Sequence, residues 1–211
     1  MSYVLVSLVG DDVTQEADAF ARLLRERRAP SRAFHEASPS HESVSSANEA
    51  VRRAVIIGHN GRLNGTPSLR SYATGAAWAD SERLGTTFKD ARVYAYACET
   101  MGAGGVPDVE ALGNLAHRAG VKAFAGHAVF VDAGWQQSLA AAHRDRVTQA
   151  LSEMIFAFLD GEDDAGRLKL RARGSFNLFT AGIPLDVQAG LEAFQLPIAI
   201  DLAVEHLFVA A

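Results

Sequence analysis

Short apolar runs, each closed by a turn residue, recur at YVLVSLVG (3 to 10), AVIIG (54 to 58), VYAYA (93 to 97) and VKAFAG (121 to 126). Runs of this length, rich in β-branched and aromatic residues, predict strands buried on both faces. A weaker run, SRAFHEA (31 to 37), predicts one more. Helical patterns lie between them. VTQEADAFARLLRERR (13 to 28) opens on acids and closes on bases, as the helix dipole favours, and VPDVEALGNLAHRAG (106 to 120) ends on a glycine. Strands that alternate with helices predict a three-layer α/β/α architecture, with a mostly parallel sheet of about six strands.

The segment GRLNGTPSLRSYATGAAW (61 to 78) is polar and dotted with glycine, and reads as a long functional loop. WQQSLAAAHRDRVTQALSEMIFAFLDG (135 to 161) carries an amphipathic helical pattern, and GEDDAG after it reads as a solvated turn or linker. RLKLRARGSFNLFTAGIP (167 to 184) reads as a strand pair, and LPIAIDLAVEHLFVAA (196 to 211) as an apolar tail that serves the core or contacts a second copy or a partner protein. No repeat of fixed period interrupts the chain. The expectation is one domain over 1 to 211, with a core over about 1 to 160 and an extension over 161 to 211.

Composition narrows the function. The chain is 48% hydrophobic and carries a formal charge of −5, and its richest basic clusters, RLLRERR and RLKLRAR, read as solvated helix faces. A nucleic-acid partner is not expected. The single cysteine excludes an internal disulfide, and the seven histidines form neither HxH nor HExxH. Neither a metal nor a cofactor is expected. The N-terminus lacks a charged leader and no run is long enough to span a bilayer, so the expectation is a cytoplasmic protein without membrane contact.

Cys98 stands where a strand stops and a glycine turn begins, in YAYACETMGAGG (94 to 105). In an open parallel sheet the carboxyl ends of the strands form the crevice that holds ligands. Backbone amides of the turn, with the positive end of a following helix, would favour thiolate and offer donors to a carbonyl oxygen. The alternative is a cysteine that only packs. A dinucleotide site is the poorer reading, because the turn does not supply GxGxxG. A thiol nucleophile needs a base, usually histidine. His59, in GHNG after AVIIG, and His127, in AGHAVF after VKAFAG, both occupy strand ends, and both flank Cys98 if its strand lies between theirs. The other histidines sit in helical or surface contexts and receive no role.

The phrase YAYACETMGAGG, with the histidine of GHNG and the continuation VEALGNLAHRAGVKAFAGHAVFVDAG, resembles the caspase-like cysteine peptidases of the caspase-hemoglobinase fold, closest to the CHAT family. The likeness covers roughly residues 50 to 135. It implies a cysteine endopeptidase that cleaves a protein or peptide substrate through a His59–Cys98 dyad and an acyl-enzyme intermediate. The family commonly has HG where this chain has HNG, so the oxyanion donors would be the Cys98 amide with that of Asn60 or Gly61. Enzymes of this fold build the pocket for the residue before the cut from loops at the same sheet edge. Asp11, Asp12 and Asp132 follow strands there and would select arginine or lysine, with His127 as a pocket wall; Asp11 or Asp12 could instead cap the helix near Val13. Two rival readings stand beside this one. One is a catalytically silent caspase-like module that binds a partner, and the other a small-molecule hydrolase or acyltransferase with the same dyad.

Overall fold

The computed structural model describes residues 2–8, 15–71, 74–128, 141–180 and 204–211. Their central sheet has six strands: β1 (Val4–Ser7), β2 (Arg32–His35), β3 (Arg53–Ile57), β7 (Arg92–Tyr96), β10 (Ala123–His127) and β11 (Leu207–Ala210). Their spatial order is β11-β10-β7-β3-β1-β2. All neighbours run parallel except β11, which pairs antiparallel with β10. The five parallel strands are those the apolar runs predict.

Alternation along these strands sorts their side chains into two cores. One face presents Tyr3, Leu5, Val55, Ile57, Tyr94, Tyr96, Ala123 and Ala125 to helices α1 (Gln15–Arg27), α5 (Ala141–Leu159) and α6 (Ala165–Thr180). The other presents Val4, Val6, Ala54, Ile56, Val93, Ala95 and Phe124 to α2 (His41–Glu49), α3 (Ser81–Thr87) and α4 (Leu112–Arg118). A strand with apolar side chains on both faces needs a cover on each side, which is why the sequence shows unbroken apolar runs here. Two buried-end arginines tie α5 to the base of the sheet: Arg92 Nε donates to Phe158 O (2.6 Å) and Arg53 Nε to Leu159 O (2.8 Å). Arg53 thus gives a donor to one carbonyl of the helix C-terminus, and Arg92 adds a second donor to Phe158 O, which also accepts the Gly161 amide.

Three local expectations are corrected. Residues 61 to 78 are not a loop: β4 (His59–Leu63), β5 (Thr66–Arg70) and β6 (Ala77–Asp80) form a separate antiparallel sheet in that order. The turn is Asn64-Gly65, with φ of 52° and 84°, the pair a two-residue hairpin requires. Residues 106 to 120 are helical only as α4; Gly104 and Gly105, with φ of 59° and 84°, make a second tight hairpin that pairs β8 (Gly102–Ala103) with β9 (Val106–Pro107). Finally, the expected strand pair at 167 to 184 is, as far as Thr180, the helix α6. Leu168, Ala172 and Phe176 recur every fourth residue and are all buried, a helical stripe against α5, and Asp164 Oδ1 accepts the Arg167 amide at its start. The described part of the apolar tail, 204–211, contains the edge strand β11, whose Leu207 and Ala210 belong to the cores. Among the described residues, no helix is long and apolar enough to cross a membrane.

Candidate functional site

β7 lies between β3 and β10, so the end of the cysteine strand is flanked by the ends of the two histidine strands. The register places Ile57 opposite Tyr96, and the Gly58 amide donates to Tyr96 O at 3.2 Å. Two residues beyond that pair stand His59 and Cys98. A second bond closes the far side, because Asn60 Nδ2 donates to Glu99 O at 3.1 Å. The histidine and the cysteine are thus enclosed between two cross-links that join their chains.

Cys98 is half-buried and packs against the core that contains Tyr94 and Tyr96. The chain reverses directly after it, with Glu99 in the left-handed region at φ 51°. A non-glycine residue there marks a backbone held by its surroundings. The restraints are visible: fully buried Thr100 accepts the His127 amide on Oγ1 (3.3 Å) and the Gly113 amide on its carbonyl (2.8 Å), while the Met101 amide donates to His127 O (3.0 Å). The helix that follows, α4, therefore directs an N-terminal amide at Thr100 O, and the expected effect of its dipole on the thiol has no direct geometric support.

His59 and His127 differ sharply. His59 is exposed, yet the protein around its ring removes enough water to lower its pKa below the ordinary histidine value. It is therefore neutral at neutral pH, the state in which imidazole accepts a proton. His127 is buried, and its Nε2 lies 2.8 Å from the Tyr94 hydroxyl. Burial, with lesser repulsion from His206 and Lys169, pushes its pKa down to about 4. Its ring packs against Tyr94, and its backbone binds Thr100 and Met101 of the cysteine loop.

The antiparallel ladder separates Asn60 from Gly61. In a two-residue hairpin the flanking residues, here Leu63 and Thr66, exchange both hydrogen bonds, and bonded and non-bonded pairs then alternate. Gly61–Ser68 is a bonded pair, so the Gly61 amide turns to β5, whereas the amides of Asn60 and Arg62 turn to the open edge. Pro67, which has no N–H, stands opposite Arg62, where no bond is required. Both residues lie within the strand β4, not in a turn.

A cleft of about 280 Å³ opens between β4 and the cysteine loop, lined by Asn60, Gly61, Arg62, Pro67, Glu99, Gly102, Ala103, Asp108 and Ala111. Larger clefts lie elsewhere, one along β2 and α2 and another where α1, α5 and α6 meet; neither has a chemical group resembling a dyad. Arg62, Glu99 and Asp108 were not anticipated from the sequence. The Asn64-Gly65 signal for a hairpin would have brought β4 to attention. Asp11, Asp12 and Asp132 lie outside the described residues. No three His, Cys, Asp or Glu side chains among the described residues cluster as metal ligands. No protein-family model and no curated protein matches the chain.

Proposed function

We propose that this chain is a cysteine endopeptidase of caspase-like, CHAT type, which acts on a protein or peptide substrate. The observation that supports it is that His59 and Cys98 each stand two residues past the paired Ile57 and Tyr96, at the carboxyl ends of adjacent parallel strands. In this reading His59 takes the thiol proton and Cys98 Sγ attacks the scissile carbonyl carbon. The tetrahedral oxyanion accepts from the Cys98 and Asn60 amides, since the ladder commits the Gly61 amide to Ser68. As that intermediate collapses, the C–N bond breaks and His59 gives the proton to the leaving amine. Water, deprotonated by His59, then cleaves the thioester and restores the thiol. None of these steps draws on a cofactor. Asp11, Asp12 and Asp132 remain proposed determinants of a preference for lysine or arginine before the cut, and the proposed compartment is the cytoplasm.

The test combines a thiol-directed activity probe with cleavage profiling over a peptide library on the full chain. Probe labelling of Cys98 that requires His59, together with cleavage of a defined peptide set, is the expected result. An inert thiol and no cleavage would leave the silent binding module as the reading, and thioester turnover of small esters alone would favour the acyltransferase.

A further inference from the structure

His59 opens β4, and the ladder sets Arg70 of β5 directly opposite it. Opposed residues of an antiparallel pair send their side chains to one face of the sheet. Gly61 and Ser68, two residues along, belong to that face as well, whereas Asn60, Arg62 and Pro67 turn to the other, where the cleft carries Glu99 and Asp108. The Arg70 side chain runs diagonally over Gly61: a Cβ at residue 61 would stand 2.8 Å from Arg70 Cδ and 3.3 Å from its Nη1. Glycine at 61 leaves the space that this side chain fills.

The guanidinium has no counter-charge. Arg70 is half-buried, its Nε is shut off from solvent without a hydrogen-bond partner, and among the described residues the group forms no ion pair. The arginines at the opposite end of the sheet are different. Arg92 has Asp163 and the carbonyls of Phe158 and Glu162, and Arg53 has those of Leu159 and Val51. A guanidinium stays charged at any pH a folded protein meets, and holding one part-buried and unpaired is costly. Its planar fork matches a carboxylate, and none of the chain's own is supplied among the described residues.

Position relative to the dyad decides which part of a substrate meets this group. In the proposed mechanism Cys98 Sγ holds the scissile carbonyl carbon and His59 protonates the nitrogen that leaves. The two sides of the peptide part at the dyad, and the leaving side is the one next to His59. Beyond His59, the same face of β4 presents bare Gly61 with Arg70 over it. At about 3.3 Å per residue, Gly61 lies about 7 Å along the strand from His59, a span of two or three extended residues. We propose that Arg70 binds the carboxylate of a glutamate or aspartate in the leaving segment, within about three residues after the cut. The inference rests on the peptidase reading and names the substrate class of that site: a peptide selected for an acid after the cut, separately from the residue before the cut that Asp11, Asp12 and Asp132 would read.

The experiment maps, by mass spectrometry, the bonds that the full-length native protein cuts in a randomised peptide library. One cut peptide is then compared with copies that carry glutamate, glutamine or lysine at each of the first few positions after the cut. The expected result is one position at which glutamate exceeds glutamine in kcat/KM by about tenfold or more, the worth of a hydrogen bond to a charged group, and exceeds lysine by a wider margin. Arg70→Met keeps an apolar stem over Gly61 without the fork, and should bring the glutamate-to-glutamine ratio to about one. Arg70→Glu should invert the preference in favour of lysine. A side chain that only packed would lower all three peptides alike and leave their ratios intact. Thermal melting shows whether each variant folds; Arg70→Lys, which keeps the charge, stands in for one that does not and should retain a reduced preference. Cleavage without an acidic preference after the cut, or a preference that survives Arg70→Met, would overturn the proposal and leave the peptidase. No cleavage of any peptide would remove the peptidase reading, and this inference with it.

Discussion

Asn60 Nδ2 donates a hydrogen bond of 3.1 Å to the carbonyl oxygen of Glu99. The bond ties the carbonyl of the first residue after Cys98, itself in the left-handed region, to the start of β4. Asn60→Asp removes the donor while keeping the shape, and brings a carboxylate against a carbonyl. The expected outcome is a fall in kcat of roughly tenfold to a hundredfold with a smaller change in KM, the pattern of lost positioning. Steady-state constants on one cleaved peptide check it, and an unchanged kcat would show that Glu99 is held by other contacts.

Cys98→Ala removes the sulfur that would form the acyl-enzyme, and peptidase activity should vanish. The side chain is half-buried and small, so stability should change by no more than about 1 kcal/mol. Urea unfolding and a peptide cleavage assay measure the two effects independently. Residual cleavage by this variant would move the nucleophile elsewhere.

His59→Ala should lower kcat by about 10²–10⁴-fold, the usual worth of general acid–base assistance, with little effect on folding. His127→Ala should act the other way round. It leaves the buried Tyr94 hydroxyl without its 2.8 Å partner and opens a cavity, which predicts a loss of about 2–4 kcal/mol of stability. A larger kcat loss in the His127 variant, measured at a temperature where both are folded, would transfer the catalytic role.

Acid should weaken the fold through the same residue. His127 is held at about 4 in the folded chain against 6.5 when free, so between those values the unfolded state binds more protons. Stability is therefore complete above pH 6.5 and falls as the pH drops toward 4. The full linkage is on the order of 3 kcal/mol. In His127→Gln this part of the pH dependence of urea unfolding should flatten, and a profile identical to that of the native protein would assign the acid sensitivity to other groups.

Gly126→Ala tests the support under the cysteine loop. A Cβ there would stand 2.2 Å from Thr100 Oγ1, the group that accepts the His127 amide. Thr100 must shift, so the expected cost is about 1–3 kcal/mol together with a reduced kcat. Thermal melting and cleavage rates report both, and a variant that matches the native protein in each would show that the loop yields without consequence.

The chain's own pattern determined the five parallel strands and α1, because each needs only a local run: apolar on both faces for a buried strand, or a 3.6-residue stripe with charges ordered along the dipole for a helix. The same locality put His59, Cys98 and His127 at strand ends. Only the tertiary structure decided that β7 lies between β3 and β10, and that His127 is buried against Tyr94 whereas His59 is exposed. Burial depends on which elements cover a strand end, and no single segment encodes it. The 61–78 and 167–184 segments misled for opposite reasons. In β4 to β6, stability comes from hydrogen bonds between neighbouring strands and from contacts of Leu69, Trp78 and Ala79 with the second core, so polar residues at the exposed positions hid the strands. In α6, glycines at 166 and 174 masked a helix that its packing against α5 maintains, since tertiary burial outweighs the roughly 1 kcal/mol that a glycine costs within a helix. The link from Asn60 to Glu99 joins residues 39 positions apart. A contact across that separation exists only once the sheet has brought both strand ends together.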